Sequence, residues 1–503
     1  MERRIRRLGV FMVLCFVALF IQLNNIQVLK ANSLANDPHN PRVVAVALSQ
    51  PRGDILSADG VTLASSIPAT SGPYKYQRVY NPNTAVLFAQ IVGYDSLNYG
   101  LTGIEAEYNP YLESHTRAAT SLRDLLVNRT TTDDVTLTIS TKLQSQVAAI
   151  MDQVQTEDHA PVEGAVVSDP QTGAILAMYS NPTFNPTGLV SQDGKVEDAT
   201  WNLLDPDSDQ SPLVSRTFQY GFLPGSTFKT VTSAAVYDHM PALAKVNYPV
   251  ASCIPLPQSP LKLCNYAGVG GVHESCGGDI TVALPASCDT AFAQLGMALG
   301  AVNLTTEAQA FGFNQNVPID LPGAGVSNFP SDQPNVSGTL YDNKPSQAYS
   351  AFGQQDVVAT PLQMALVSDA FANQGVIMTP HVMAQIRDSQ GDLVETYTPK
   401  PWLTATSPTT AAAVTSLMQA VVTHGTAAGV FPASWNVAAK TGTAETGPNA
   451  SLTNDWMIAF APANDPKVAV AVVVPNQPGS DTGATVSGPP TKAILGDALG
   501  LSS

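Results

Sequence analysis

Several stretches of the chain alternate apolar and polar residues, and apolar residues recur with a helical period between them. Alternation predicts strands, whereas recurrence every three to four residues predicts helices. Residues 164–167 and 174–178 flank Asp169-Pro170 and Thr172-Gly173, which predicts an antiparallel hairpin. The other predicted elements are strands at 43–48, 134–139, 437–443, 456–461 and 468–474 and a helix at 141–154. We therefore predict an α+β domain whose sheet combines strands from both of its ends.

The N-terminus places four arginines within seven residues before an apolar run from Leu8 to Ile21. A membrane span needs about 20 apolar residues, so the run is short unless the helix continues to Val28. The alternative is a cleaved signal peptide, for which 33–35 supplies suitably spaced small residues. In both cases the arginines stay cytoplasmic. We expect a cytoplasmic tail at 1–7, a transmembrane anchor at 8–28 and a single-pass cell-membrane protein whose larger part is extracytoplasmic.

Turn residues interrupt the next stretch, most clearly at Pro51-Arg52-Gly53-Asp54 and Asp59-Gly60. Short extended segments between turns predict a small, mostly extended N-terminal domain at 29–133. The larger second domain is predicted at 134–503. The length of 503 residues allows this division, at roughly 150 residues per domain.

The composition restricts the partners. A net charge of −16 argues against nucleic acid, because a polyanion would be repelled. A hydrophobic fraction of 44% with 13% charged residues is enough for a buried core. Neither property identifies a function.

Four cysteines lie within a short stretch, at Cys253, Cys264, Cys276 and Cys288. They allow three disulfide pairings, and the sequence does not choose among them. Buried free thiols are an equal alternative. No Cys-x-x-Cys or His–His pair accompanies these cysteines, so their spacing does not fit a zinc site. We expect neither a metal nor a cofactor.

The first candidate motif places Ser226 and Lys229 at the start of a helical segment after Pro224-Gly225. This spacing returns the amine toward the serine hydroxyl, where a buried lysine with a lowered pKa can act as general base. Backbone N–H groups at the helix start would stabilise an oxyanion. The pattern alone is weak, because Ser259-Pro260-Leu261-Lys262 repeats it. Prolines disfavour a helix at that second copy.

The second candidate motif is Ser287-Cys288-Asp289, before the helical segment 290–300. Ser287 could relay a proton to a leaving amine, and Asp289 could orient the substrate and nearby lysines. The alternative for Ser287 is a helix N-cap. Ser-x-Asn also occurs at 96–98 and 434–436, so this motif alone decides little.

The third candidate motif is Lys440-Thr441-Gly442-Thr443, which ends a predicted strand. Alternation places the Thr441 and Thr443 hydroxyls on one face, where both could bind a carboxylate beside the charge of Lys440. The Thr443 N–H is a candidate oxyanion donor. Gly442 would let a substrate backbone lie against the strand. The alternative is a strand that simply ends in a glycine turn.

The three motifs occur in the order found in penicillin-interacting serine enzymes. The chain resembles class B penicillin-binding proteins, and within them most closely the penicillin-binding protein A type of actinobacteria. The resemblance extends through most of the chain. The matching stretches besides the motifs are 51–55, 102–105, 164–167, 169–170, 172–173, 360–362, 373–375 and 444–445.

The resemblance implies a serine β-lactamase/transpeptidase-like domain with an antiparallel sheet flanked by helices. It also implies a non-catalytic N-terminal pedestal or dimerisation domain and one membrane anchor. The implied reaction is peptidoglycan cross-linking, in which Ser226 attacks the penultimate D-alanine of a donor stem peptide and the acyl group passes to an acceptor amine. β-Lactams would acylate the same serine.

The resemblance assigns catalysis to Ser226, Lys229 and Ser287. It assigns substrate binding to Asp289, Lys440, Thr441, Gly442 and Thr443. The implied partners are peptidoglycan stem peptides, β-lactam antibiotics and the cytoplasmic membrane. A SEDS-family glycosyltransferase and division or elongation proteins are implied as protein partners.

Two other activities share these motifs. A class A β-lactamase needs a glutamate in a Glu-x-x-Leu-Asn loop between the second and third motifs. Glu307 and Glu395 are the glutamates in that interval, and Leu-Asn follows neither. A D,D-carboxypeptidase, which uses water as the acceptor, remains an alternative.

Asp289 departs from the asparagine that is usual in the penicillin-binding protein A type. A carboxylate there favours the charged forms of nearby lysines, which opposes a neutral Lys229. We therefore expect Asp289 to pair mainly with Lys440 or another donor and to leave Lys229 free.

Overall fold

The computed structural model describes residues 2–26, 49–70, 72, 74–116, 130–158, 162–267, 272–330, 340–447 and 451–501. The strand predicted at 43–48 and the end of the predicted anchor lie outside these residues. The α-helices are α1 Glu2–Asn24, α2 Ala85–Val92, α3 Gly103–Glu107, α4 Asn109–Leu112, α5 Thr141–Asp158, α6 Gly194–Leu203, α7 Lys229–His239, α8 Ile280–Ala283, α9 Asp289–Ala310, α10 Lys344–Ser350, α11 Pro361–Ala372, α12 Pro408–His424 and α13 Gly488–Leu499. Short 3₁₀ helices occupy Pro186–Val190, Gly225–Phe228, Pro241–Lys245 and Ala433–Trp435.

Two larger sheets organise the described chain. Their strands are β1 Ile55–Leu56, β2 Thr62–Pro68, β3 Tyr76–Tyr80, β4 Asp133–Leu137, β5 Glu163–Ser168, β6 Ile175–Asn181, β7 Met383–Asp388, β8 Leu393–Thr396, β9 Ala438–Thr446, β10 Leu452–Ala461 and β11 Val468–Pro478. The first sheet has the order β8-β7-β4-β1-β2-β3, and the second has the order β6-β5-β11-β10-β9. Two-stranded ribbons pair 95–96 with 100–101, 115–116 with 130–131, 248–251 with 276–278, 253–255 with 262–264, and 376–378 with 401–404.

The first sheet joins distant parts of the chain. Strands β7 and β8 lie near residue 390 in sequence, yet β7 pairs with β4 and completes the sheet of the N-terminal region. The predicted domain limit between 133 and 134 falls inside β4, which pairs with β1 on its other side. Helices α2 to α4 also lie in this region. The N-terminal region therefore contains more helix than the sequence pattern predicts, and its sheet includes strands from a distant part of the chain.

The second sheet combines strands from both ends of the larger region, as predicted, and all its strands are antiparallel. Both faces are buried. Val470 and Val472 of β11 belong to one apolar core with α5 and α13, whereas Ala469 and Ala471 belong to another with α7, α9 and α11. Full burial of one such valine contributes about 1.5–3 kcal/mol. Strand β9 lies at the edge of the sheet and packs against α12 and the 3₁₀ turn Gly225–Phe228.

Two helices of this fold begin at a hydroxyl residue followed by proline. The Thr360 side chain accepts a hydrogen bond from Gln363 N at 3.1 Å, and the Ser407 side chain accepts one from Thr410 N at 3.1 Å. These caps satisfy N–H groups that the first helical turn leaves unpaired. Proline in the next position fits because its missing N–H is not needed there.

A buried charged cluster organises the N-terminal region. Arg52 Nε donates to Glu105 Oε2 at 2.7 Å, and Arg78 Nε donates to Glu105 Oε1 at 2.6 Å. Glu105 is fully buried, and Arg78 is nearly so. Burial alone would raise the pKa of Glu105, but the charges of Arg78 and Arg52 hold it below its ordinary value. The cluster fixes the turn before β1 to helix α3.

The four cysteines form two disulfides, Cys253–Cys264 and Cys276–Cys288. This is one of the three pairings that the sequence left open. The first disulfide joins the strands of one ribbon. The second joins a ribbon strand to Cys288, the residue between Ser287 and Asp289, and so restrains the second motif.

Helix α1 contains the apolar run, and side chains such as Phe11 and Phe20 are exposed. Among the described residues, none of the helices combines the length and apolar character that a membrane crossing requires. The anchor expected at 8–28 therefore remains a prediction.

Asp369 of α11 is a buried carboxyl that predicts how stability depends on pH. Its Oδ1 accepts a hydrogen bond from Ser168 Oγ at 2.9 Å, and burial raises the pKa of Asp369 to about 8. An unfolded aspartate titrates near pH 4, so between about pH 4 and pH 8 the folded chain keeps a proton that the unfolded chain loses. The contribution of Asp369 to stability therefore falls as the pH rises through this window.

We expect Asp369→Asn to reduce this loss, because the amide does not titrate. At pH 9 the variant should exceed the parent by on the order of 2 kcal/mol in the free energy of unfolding. Urea unfolding at pH 5 and pH 9 measures the change, with the exposed Asp465→Asn as control. A variant whose stability falls as steeply as that of the parent would contradict the assignment.

Candidate active site

Ser226 lies in the 3₁₀ turn Gly225–Phe228, which continues directly into α7. Gly225 has a φ of 52°, a conformation that glycine adopts without strain. A β-carbon on Gly225 would also lie 3.0 Å from Ala444 of β9. The glycine therefore places Ser226 close to β9, as its position in the motif predicts. The competing copy at 259–262 forms a turn and the start of a strand, so its serine and lysine share no helix face.

Lys229 is completely buried and donates to the second motif. Its Nζ lies 2.6 Å from Ser287 O, 3.3 Å from Ser287 Oγ and 2.6 Å from Asp289 Oδ1. The rings of Phe292 and Phe352 lie 5.5 and 5.7 Å from the same nitrogen. Among the described residues, its hydrogen bonds go to this motif and not to the Ser226 hydroxyl. The direct return to Ser226 that the spacing predicts is therefore not made in this arrangement.

The expectation that Asp289 leaves Lys229 free is wrong. Asp289 forms its salt bridge with Lys229, at 2.6 Å. The reason is geometric: α9 begins at Asp289 and directs its carboxylate to the buried amine, whereas Lys440 reaches Ser287 from β9. The second oxygen of Asp289 accepts from the Tyr266 N–H at 3.2 Å.

Ser287 lies between the two lysines. Its Oγ accepts from Lys440 Nζ at 2.9 Å and from Lys229 Nζ at 3.3 Å. A hydroxyl oxygen has two lone pairs, so accepting from both lysines leaves its own O–H available to donate. The helix-cap alternative does not hold, because Cys288 occupies the N-cap of α9 and Ser287 precedes it with a φ of 54°.

Burial lowers the pKa of both lysines. For Lys229 burial is the largest influence, and the charge of Asp289 opposes it. For Lys440 burial acts together with the charge of Lys229, and its pKa lies well below the ordinary value. Two ammonium groups around one half-buried serine disfavour each other. The cluster therefore favours one neutral lysine, which is what a general base requires.

The threonines of the third motif have partners within the protein. Thr441 is buried, and its Oγ1 lies 2.6 Å from Thr426 Oγ1. Thr443 Oγ1 accepts from the Gly483 N–H at 3.1 Å, and Thr443 borders the cleft beside the motifs. Of the two hydroxyls predicted to bind a carboxylate, the one on Thr443 is therefore the more accessible.

Gly442 serves a close contact inside the protein. A β-carbon there would lie 2.8 Å from Pro224 O and 2.9 Å from Thr227 Cγ2. Any other residue would push β9 away from the turn that carries Ser226. The glycine is therefore required for this contact, and the space that we expected it to leave for a substrate backbone at the strand edge stays a prediction.

A cleft of about 670 Å³, a volume typical of sites for small ligands, is lined by residues of the second and third motifs but not by Ser226. Asp289 and Thr443 are predicted site residues that line it. Tyr266 and Glu445 also line it, and the motifs do not include them. Because side chains alternate along β9, Glu445, two residues after Thr443, could have been predicted to line the cleft. No local pattern points to Tyr266, which a ribbon brings in from 23 residues before Asp289.

Comparison with known proteins identifies two matching regions. Residues 163–496 match the penicillin binding protein transpeptidase domain, and residues 52–134 match the penicillin binding protein A dimerisation domain. The chain is 35% identical over 517 residues to peptidoglycan D,D-transpeptidase PbpA of Mycolicibacterium smegmatis, covering 99% of both chains. It is 34% identical over 516 residues to PbpA of Mycobacterium tuberculosis, again covering 99% of both.

Solved structures show the same relationship. Penicillin-binding protein A from M. tuberculosis, as its ceftriaxone acyl-enzyme, matches with a TM-score of 0.76 and 31% identity. The match covers 90% of this chain and 100% of that one. Its penicillin G acyl-enzyme matches with a TM-score of 0.75, 31% identity and the same coverage. On sequence and fold together, the chain belongs to the penicillin-binding protein transpeptidase family.

Proposed function

We propose that this chain is a serine-type D,D-transpeptidase that cross-links peptidoglycan and is acylated by β-lactams. The observation that carries the proposal is the hydrogen-bonded cluster of Lys229, Ser287 and Lys440. It lies next to the turn that carries Ser226 and beside the cleft. The full-length similarity to PbpA supports the same reaction.

In the first half-reaction, neutral Lys229 accepts the Ser226 proton while Oγ attacks the carbonyl of the penultimate D-alanine. This transfer requires the Lys229 amine to lose its proton and to turn toward Ser226, away from Asp289, whose charge favours the protonated amine. The N–H groups of Ser226 and Thr443 stabilise the oxyanion. Ser287 then passes a proton to the leaving nitrogen, the peptide bond breaks, and D-alanine departs. An ester on Ser226 remains.

In the second half-reaction, an acceptor amine attacks the ester and a new amide forms. The amine's proton returns through the same cluster, so Ser226 regains its hydroxyl. Lys440 and Thr443 bind the terminal carboxylate of the donor, with Thr441 and Gly442 holding the strand in place. Asp289 positions Lys229.

The test is a reaction of the full chain in detergent with a pentapeptide ending in D-Ala-D-Ala and an acceptor that carries a side-chain amine. Mass spectrometry should detect a cross-linked product and released D-alanine. Release of D-alanine with hydrolysed peptide alone would support the carboxypeptidase alternative. Neither product would contradict the proposal.

Asp289→Asn tests the role of the salt bridge. The charge of Asp289 raises the pKa of Lys229, so its removal should lower that pKa further. Acylation needs neutral Lys229 and therefore rises with pH through this pKa. We expect the rising limb of the rate against pH to move to lower pH, by about 1 unit.

The measurement is the rate constant of acylation by penicillin from pH 5 to pH 9, whose increase with pH defines the rising limb. The matched control is Asp279→Asn, an exposed N-cap that precedes the same motif. A limb that stays in place or moves to higher pH would show that Asp289 does not control Lys229.

We also infer that residues 8–28 anchor the chain in the cytoplasmic membrane, with its larger part on the outer side. The four arginines before the apolar run support this orientation. Cooperation with a SEDS-family glycosyltransferase and with division or elongation proteins, which the family resemblance implies, belongs to the same proposal. Fractionation of cells that express the full chain or a chain starting at 29 tests the anchor. Equal recovery of both in the soluble fraction would contradict it.

A further inference from the structure

Glu445 extends the third motif along the wall of the cleft. It follows Thr443 by two residues on β9, so both side chains point to the same side of the strand. Thr443, Glu445 and Gly447 all line the cleft. At about 3.4 Å per residue, Glu445 lies roughly 7 Å beyond Thr443.

The charges of the cleft leave Glu445 without a direct counterion. The cleft is lined by two carboxylates, Asp289 and Glu445, and by one lysine, Lys262. Asp289 is paired with Lys229, and Lys262 forms no salt bridge with Glu445. Glu445 makes no hydrogen bond or salt bridge with any residue in the described part of the chain, although His273 exerts a weaker attraction. Partial desolvation in the cleft and the charge of Asp289 raise the pKa of Glu445, although its side chain is exposed. A cation placed beside Glu445 would oppose both effects and favour the charged carboxylate.

The order of groups along β9 shows which part of a donor peptide reaches Glu445. Lys440 lies at the end that binds the terminal carboxylate, and the Thr443 N–H meets the scissile carbonyl. Continuing in the same direction, Glu445 faces the residues on the N-terminal side of the penultimate D-alanine. The donor thus runs antiparallel to β9, as an added edge strand does.

The acceptor approaches from the other end. The leaving D-alanine amine departs next to Ser287 and Lys440, and the acceptor amine must attack the same carbonyl carbon from that side. Glu445 is therefore remote from the acceptor amine and close to the donor's upstream side chain.

We infer that Glu445 selects donor stem peptides that carry a free side-chain ammonium on the residue before the penultimate D-alanine. Such a residue is a diamino acid that has not yet been cross-linked through its side chain. Glu445 would thus make the donor strand distinguishable from a strand whose amine is already acylated. The inference rests on the proposed transpeptidase function and adds a specificity-determining residue to it.

The test compares two donors with the full chain in detergent. They are Nα-acetyl-L-lysyl-D-alanyl-D-alanine, which has a free side-chain ammonium, and its Nε-acetylated derivative, which has none. Hydroxylamine serves as a common small acceptor, and D-alanine release gives kcat/KM for each donor. The ratio of the two values is the readout, because a general loss of activity cancels in it.

We expect the parent to prefer the charged donor roughly fivefold, as for a partly exposed ion pair. Glu445→Gln should bring the ratio to about 1, and Glu445→Lys should favour the acetylated donor. The matched control is Glu274→Gln, which removes one exposed charge near the cleft but not in its wall. Its ratio should equal that of the parent.

Two results would overturn the inference. One is a parent ratio of 1 with both donors consumed, and the other is a preference that survives in Glu445→Gln. Either would leave the transpeptidase proposal standing. A parent that releases D-alanine from neither donor would overturn the proposed function and, with it, the inference.

Discussion

Replacing Lys229 by alanine is expected to lower the rate constant of acylation by penicillin roughly 10²- to 10⁴-fold, the range for loss of a general base. Lys229 is the completely buried amine that contacts both Ser287 and Asp289. Burial lowers its pKa, which favours the neutral form that a general base requires. Without Lys229, the remaining amine in the cluster is that of Lys440, which donates a hydrogen bond to Ser287 Oγ.

The matched control is Lys195→Ala, on helix α6. Lys195 is exposed and does not line the cleft. We expect less than about a threefold change there, as for a surface substitution. Because Lys229→Ala leaves Asp289 without its partner, a thermal melt must accompany the rates. A folded Lys229→Ala variant that acylates at the parental rate would contradict its role.

Glu105→Gln is expected to lower the free energy of unfolding by about 3–5 kcal/mol, as when one partner of a buried ion cluster loses its charge. Arg52 and Arg78 both donate to Glu105, and Gly53 O is a further acceptor for Arg78. Arg78 Nη2 has no hydrogen-bond partner among the described residues even in the parent. The variant would leave the buried Arg78 without its salt-bridge partner and Arg52 with Asp95 alone, at 3.7 Å.

Glu107→Gln provides the control, because Glu107 is exposed at the end of the same helix, α3. It should change the free energy of unfolding by no more than about 0.5 kcal/mol. Urea unfolding of the full chain measures both variants. A loss below about 1 kcal/mol for Glu105→Gln would show that the cluster contributes little net stability.

The sequence predicted those parts of the fold that depend on local patterns. The hairpin of β5 and β6, the three C-terminal strands and helix α5 all follow from apolar periodicity. The pairing of β7 with β4 could not be predicted, because register between strands about 250 residues apart has no local signal. The predicted domain limits rest on motifs and stay predictions.

In the site, too, the features that depend on local patterns were predicted and those that depend on tertiary packing were not. The three motifs come together as their order implied, and Gly225 is a glycine for the expected conformational reason. The partner of Asp289 was predicted wrongly, because a choice between Lys229 and Lys440 depends on where α9 starts in space. The role of Gly442 likewise depends on packing against Pro224, which residue spacing does not encode.

Intact mass spectrometry of the full chain with penicillin G shows whether Ser226 is the nucleophile. We expect a gain of one penicillin mass that persists for hours, maps to the peptide containing Ser226 and is absent in Ser226→Ala. A persistent adduct on another residue, rapid release of hydrolysed penicillin, or no adduct on the folded chain would contradict it.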